Sequence, residues 1–237
     1  MYKQVIMIFV HIGAGAGDQD ESEKFRDGFS ELVKNHKSKN KEIFVVEANK
    51  KHKKLLKKCW KNYKKTKYFF CAIVPNKNKK KNLTFYYSIE DAPFYQKLSF
   101  DINHVQKIYP NTIIKKMKIK TLKIKDFMKR FSNKKIDYFS IDVEGLDYDI
   151  IMDIDFNKMD ITNVSFEHRH LLKKEMGKII KKLTAAGYSY NGFGVDHNNQ
   201  DWTFKKKINN WNNMVVSCMR FFHRKRYKHF NKLISKL

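Results

Sequence analysis

The chain has 237 residues and a formal net charge of +26, from 50 Lys and Arg against 24 Asp and Glu. Its hydrophobic content of 42% suits a core of ordinary α/β size and excludes global disorder. Three cysteines (Cys59, Cys71 and Cys218), with no C-x-x-C pair, exclude a disulfide framework and a cysteine zinc cluster and point to a reducing, cytoplasmic setting.

Only six of the basic residues are Arg. The charge therefore reads as a compositional bias toward Lys, because dedicated phosphate recognition tends to recruit Arg forks. Such a field still attracts nucleic acid, anionic lipid or acidic glycan, chiefly at low salt. No apolar run approaches the roughly 18–20 residues of a membrane span. Val5–Val10 followed by Ala14-Gly15-Ala16 imitates a short secretory signal. Cleavage there would remove a strand and a glycine loop that the rest of the chain requires.

Val5–Ile12 reads as a first buried strand, apolar except for His11. It runs into Gly13-Ala14-Gly15-Ala16-Gly17, and Phe25, Phe29, Leu32 and Val33 then recur at helical spacing. Strand, glycine turn and helix start together make a ligand cradle, since glycine permits close backbone approach and the helix start offers free N–H groups. A dinucleotide fingerprint needs glycine at the sixth position from Gly13, where Asp18 stands, so that fingerprint fails. The acids after the loop (Asp18, Asp20, Glu21) repel a pyrophosphate and suit a ligand carrying positive charge, such as a sulfonium with an ammonium group.

Lys41–Glu47 is a second strand ending in an acid, a position that commonly accepts the two ribose hydroxyls of a nucleoside. A helix follows with Leu55, Leu56, Cys59, Trp60 and Tyr63 on one face. Ala48–Ile89 holds fourteen lysines and no acid, which reads as a solvated face. Tyr68–Val74 makes a third strand, Leu83–Tyr87 another, and residues 90–112 are the least readable part of the chain, with the character of a substrate-facing insertion. Ile113–Ile119 alternates like an exposed strand, and Thr121–Phe131 reads as a helix.

The chain is organised around Ile136–Asp149, I-D-Y-F-S-I-D-V-E-G-L-D-Y-D. It begins as a strand buried on both faces and stops on Asp142, Val143, Glu144 and Gly145. Carboxylates at i and i+2 project from one side of a strand, here at its carboxyl end, where open α/β sheets bind ligands. Ile161–Phe166 is a further buried strand, ending in Glu167-His168-Arg169-His170. Leu172–Ala186 is a helix stopped by Gly187, and Tyr188–Val195 with Asp201–Phe204 forms a closing hairpin. Alternating strands and helices imply one doubly wound parallel sheet whose one antiparallel feature is that hairpin. The reading gives one domain over 1–205 and a basic, helical extension over 206–237 with an imperfect apolar stripe.

These residues resemble the FkbM-type S-adenosylmethionine-dependent methyltransferases. V-H-I-G-A-G-A-G is similar to that family's first motif and F-V-V-E-A-N-K to its ribose-binding strand end. I-K-T-L-K-I-K-D-F followed by I-D-Y-F-S-I-D-V-E-G-L-D resembles its most distinctive block, and S-F-E-H the strand after it. The resemblance covers residues 5 to about 205. It implies a Rossmann-like seven-stranded, mostly parallel α/β sheet with helices on both faces and a C-terminal hairpin.

By position, the resemblance implies that Gly13, Gly15 and Gly17 line the methionine part of S-adenosylmethionine. Glu47 would bind its ribose, Ala72 or Ile73 would sit near the adenine, and Asp142 and Glu144 would face the reacting centre. The family usually has Asp where this chain has His11, so the contact to the cofactor's amino group would pass to Asp18 or Asp142. A hydroxyl acceptor needs a base to take its proton. The candidates at strand ends are Asp142, Glu144, Glu167 and His168, with Asp142 first, His168 second and a purely structural histidine as the competing reading of His168. No metal is called for.

The resemblance implies that the acceptor is a hydroxyl of a sugar, glycan or small metabolite, and an anionic one suits the lysine-rich surface. The tail offers peripheral contact with an anionic membrane. A different reading is a basic nucleic-acid or membrane-surface binder without methyltransferase activity. Against it, no nucleic-acid-binding motif or base-stacking pattern is present, so no specific nucleic acid is expected.

Overall fold

The structure is a computed structural model that describes residues 6–19, 27–91, 98–143, 145–194 and 201–207. Glu144 and the basic tail from residue 208 onward lie outside the described residues. In chain order the elements are β1 (Met7–Ile12), α1 (Gly28–Asn35), β2 (Lys41–Val46), α2 (Lys53–Cys59), β3 (Thr66–Phe69), β4 (Ala72–Val74) and β5 (Asn82–Ser88). These are followed by α3 (Ile102–Ile108), β6 (Ile114–Lys123), α4 (Ile124–Met128), β7 (Ile136–Ile141), α5 (Asp147–Asp153), β8 (Ile161–Glu167), α6 (Lys173–Ala185), β9 (Tyr188–Phe193) and β10 (Asp201–Lys206).

Seven strands form the main sheet in the order β3-β2-β1-β7-β8-β10-β9. The first five of these run parallel, and β10 inserts antiparallel between β8 and β9. Parallel neighbours need crossovers over the sheet faces, so helices cover both faces and the strands carry apolar residues at odd and even positions alike. Phe9, Ile43 and Val45 pack with Phe29 and Val33 of α1 and Leu56 and Cys59 of α2. Ile8, Val10, Ile12, Phe44 and Val46 face the other way, into the larger core with residues of α4, α5 and α6.

The strand β7 is buried along all six residues. Its Ile136, Phe139 and Ile141 are fully buried. At about 1.5–3 kcal/mol for each such side chain, these three contribute roughly 5–9 kcal/mol of apolar burial. Its one buried acid is satisfied: Asp137 Oδ2 accepts the backbone N–H of Ile8 at 2.8 Å.

The expectation of a single sheet needs amendment. Tyr68–Val74 is not one strand: β3 ends at Phe69 and β4 starts at Ala72, and β4 belongs to a separate three-stranded sheet, β4-β6-β5. There β5 and β6 pair antiparallel, a second antiparallel feature beside the final hairpin. This small sheet has its own core of Ala72, Val74, Phe85 and Ile119, with Ala48 packed against it, which sets it beside the carboxyl end of β2. The expected helix over 121–131 is shorter, because β6 continues to Lys123 before α4 begins.

Candidate active site

The strand order reverses between β1 and β7, the neighbours from which the chain winds outward in both directions. At such a switch point the loops leaving adjacent strands diverge and open a crevice above the carboxyl ends. The residues there are the glycine loop after Ile12 and Asp142 after Ile141.

The two strand ends lock together through the backbone. Gly13 and Ala14 both donate N–H to Val46 O at 3.0 Å, and Asp142 donates to Ile12 O at 2.9 Å. Gly13 has φ +88, and a Cβ on it would overlap the carbonyl oxygen of Asp142. Only glycine allows β1 to turn this close under β7. Gly17 has φ +62, and a Cβ there would stand 2.7 Å from Cys59 Sγ, so the loop's far end is pressed against α2.

Glu47 follows β2 and is 7% exposed. Its Oε2 accepts the N–H of Gly15 at 2.7 Å and its Oε1 accepts that of Asn49 at 2.5 Å. Burial pushes its carboxyl above the ordinary glutamate value, opposed by His52 and by the backbone donors. Each carboxylate oxygen has more than one lone pair, so a ligand's paired hydroxyls can share the group.

Alternation along β1 puts His11 on the α1 side, where its ring lies 4.4 Å from that of Phe29. Burial lowers its pKa, only partly offset by the Asp27 carboxylate. A neutral imidazole in this place gives no counter-charge to an ammonium group. Asp18 is ion-paired with Lys34. Burial raises its pKa, but hydrogen bonds from Lys34 and Gln19 outweigh this and hold it below the usual carboxylate value. Of the two suggested substitutes for the family's Asp, Asp18 is ion-paired with Lys34, and Asp142 lies exposed at the switch point.

Ala72 and Ile73 are both buried, Ala72 in the small core beside Ala48 and Ile73 in the main core. His168 is half-buried and stacks on Trp202 of β10, with ring centroids 4.7 Å apart. Glu144 lies outside the described residues.

A cavity of about 160 Å³ opens beside the switch point, lined by Gly145, Asp147, Tyr148, Glu167, His170 and Glu175 among others. Asp147 is buried and accepts the N–H of Val143 at 3.1 Å, which fixes the turn after β7. His170 Nε2 lies 3.6 Å from Glu167 Oε1. Of the histidines after β8, His170 therefore lines the cavity, while His168 packs on the sheet. The run E-H-R-H displayed both, but no sequence signal distinguished them. Among the described residues, no cluster of three or more His, Cys, Asp and Glu is placed to hold a metal ion.

The family model described as the methyltransferase FkbM domain matches residues 11–190. The chain belongs to the FkbM methyltransferase family. The matched span contains the glycine loop, Glu47, the β7 tip and the cavity residues of β8. Comparison with curated proteins gave no match.

Solved structures similar to this FkbM-family chain include the METTL16 methyltransferase domain, at 13% identity over 88% of this chain and 62% of that one, with TM-score 0.43. A second is the precorrin-6y C5,15-methyltransferase of Geobacter metallireducens, at 12% identity over 87% of this chain and 83% of that one, with TM-score 0.42. A third is M. capricolum TrmK in complex with S-adenosyl-homocysteine, at 11% identity over 100% of this chain and 84% of that one, with TM-score 0.34. The chain thus spans 62% of the METTL16 domain's length. These likenesses concern the fold and say nothing of substrate.

Proposed function

We propose that this FkbM-family protein transfers a methyl group from S-adenosylmethionine to a hydroxyl of a sugar, glycan or small metabolite. The observation that carries the reading is the buried Glu47 carboxylate, tied to Gly15 at the topological switch point. An acid kept in a low-dielectric site with lone pairs to spare suits vicinal hydroxyls, which can only improve its hydrogen bonding. Gly13, Gly15 and Gly17 would flank the methionine end, and Ala72 would contribute apolar surface on the adenine side.

When bound, the cofactor supplies an electrophilic methyl group on a sulfonium. The protein's part is then alignment of the acceptor and exclusion of water, worth up to ~7–11 kcal/mol for well-oriented reactants. Asp142, exposed at the tip of β7, is the proposed base or orienting group for the acceptor hydroxyl. Its nearness to the glycine loop also suits a contact with the cofactor's ammonium group in place of the missing family Asp. The cavity lined by Gly145, Tyr148 and His170 is the proposed acceptor site. Glu167 would orient His170 there as an alternative base.

Calorimetry with S-adenosylmethionine and S-adenosylhomocysteine, with NAD as comparison, tests the cofactor half. Transfer of labelled methyl to a panel of mono- and oligosaccharides tests the acceptor half. Binding of NAD in preference to S-adenosylhomocysteine by folded protein would overturn the reading.

A further inference from the structure

We infer that the outer face of the β5–β6 ribbon is a binding strip for an acidic polysaccharide, held by Lys116, Lys118 and Lys120. The register of the pair decides the faces: Lys116 stands opposite Tyr86, Lys118 opposite Thr84 and Lys120 opposite Asn82. The alternate residues Leu83, Phe85, Met117 and Ile119 turn inward to the small core. The ribbon is thus amphipathic in an unusual sense, apolar inside and cationic outside. All three lysines are exposed. With a rise of about 3.3 Å per residue they repeat about every 6.6 Å along a straight line.

The strip continues at one end. Thr121 donates its N–H to Lys81 O at 3.0 Å and its hydroxyl to Lys80 O at 2.6 Å, which sets the exposed Lys79, Lys80 and Lys81 alongside Lys120. Among the described residues none of these six lysines has a carboxylate partner, whereas neighbouring Lys77 is paired with Asp149 at 2.9 Å. No acid occurs from Lys77 to Ser88 or from Ile102 to Lys125, so nothing on the ribbon neutralises the row. Like charges so aligned repel one another, and a linear anion relieves that repulsion.

Three features select the occupant. The outer face's aliphatic content on the β5–β6 pairs is confined to the half-buried Ile114 at one end, opposite Ser88, which is too little apolar surface to insert into lipid and argues against a membrane. It has a single aromatic, Tyr86, and no Arg between residues 76 and 125, which is too little for a base-stacking platform. Asn82 and Thr84 offer hydrogen bonds suited to sugar hydroxyls, Tyr86 offers a ring for a sugar's apolar face, and the lysines offer a row of cations to the acidic groups along such a chain. The strip also adjoins the active site. Lys51, four residues past Glu47, lies 4.4 Å over the ring of Tyr87, and the Phe100 ring packs edge-on to Phe85 and stands next to the Gly145 turn, where a Cβ would come within 3.8 Å of it.

The test measures binding of the full-length protein to polygalacturonate, which bears one carboxylate per sugar, in about 0.15 M salt and without any cofactor. It is therefore independent of the methyl-transfer reading, and either can fail alone. The triple variant Lys116→Gln/Lys118→Gln/Lys120→Gln should bind more weakly by on the order of 10-fold or more and show a shallower salt dependence. The matched variant Lys54→Gln/Lys57→Gln/Lys58→Gln on α2, with the same change in net charge, should bind nearly as wild type. Both should melt like wild type, since all six positions are exposed. Equal losses in the two variants would assign binding to the overall field and overturn the strip. Tighter ribbon-dependent binding of poly(U), or of phosphatidylserine vesicles, would overturn the polysaccharide as its partner.

Discussion

Gly15 donates its backbone N–H to Glu47 Oε2 at 2.7 Å, joining the β1 loop to the tip of β2 across 32 residues of sequence. One carboxylate thus shapes the glycine loop and presents the acid proposed to meet the ribose. Glu47→Ala should weaken S-adenosylhomocysteine binding by about 1–3 kcal/mol, the cost of losing charged hydrogen bonds in a buried site. Calorimetry reads this directly, and unchanged affinity in a folded variant would move the ribose contact elsewhere.

Two glycines with nearly the same φ separate strain from space. Gly13 has φ +88 with Asp142 carbonyl oxygen in the way of a Cβ, whereas Gly187 has φ +84 and nothing within 4 Å. Gly187→Ala should cost about 1–2 kcal/mol, the conformational penalty alone. Gly13→Ala should cost more than about 3 kcal/mol, because β1 and β7 must separate at the switch point. Chemical denaturation of both variants gives the comparison, and equal costs would show that the β7 tip yields easily.

The depressed pKa of His11 makes stability depend on pH. The unfolded chain takes up a proton near the ordinary histidine value of about 6.5, and the native chain only at lower pH. Between the two the unfolded state holds more protons, so stability falls as pH drops below about 6.5. His11→Asn should remove that part of the slope. Melting curves of wild type and variant from pH 7.5 to 5 should diverge on the acid side, and parallel curves would mean that His11 is protonated where it lies.

Asp142→Asn separates chemistry from binding. If Asp142 takes or orients the acceptor proton, turnover should fall ~10²–10⁴-fold. Loss of cofactor affinity as well would point instead to the ammonium contact. His168→Phe, which keeps an aromatic ring on Trp202, should leave turnover near wild type, while His170→Phe should lower it if the cavity holds the acceptor. Near-normal turnover in Asp142→Asn would send the search to His170 and Glu144.

Much of the fold was legible because a parallel sheet covered on both faces writes itself as saturated apolar runs. Ile43-Phe44-Val45-Val46 is such a run, Ile136–Ile141 is one interrupted only by Asp137 and Ser140, and each is followed directly by an acid. The glycine loop was legible for the same kind of reason, since a strand entering three alternating glycines has few other uses. Its failure to match the dinucleotide fingerprint already excluded one cofactor class.

Other features depended on contacts that hydrophobic periodicity does not encode. Tyr68–Val74 is apolar throughout, yet the break at Phe70-Cys71 sends β4 to pair with β6 about fifty residues later. Either half could equally have continued along the main sheet, and the choice rests on what Ala72 and Val74 pack against. The pairing of Asp18 with Lys34 and the burial of His11 under Phe29 likewise depend on where α1 settles. After β8, the turn carries His170 to the cavity and leaves His168 on Trp202, a direction fixed by tertiary packing. The sequence by itself determined the buried strands β1, β2, β7 and β8, the turn at the switch point and the acids at the strand ends, because local pattern and glycine geometry suffice for these. Only the tertiary structure decided which of those acids and histidines face one another, because that depends on groups brought together from distant parts of the chain.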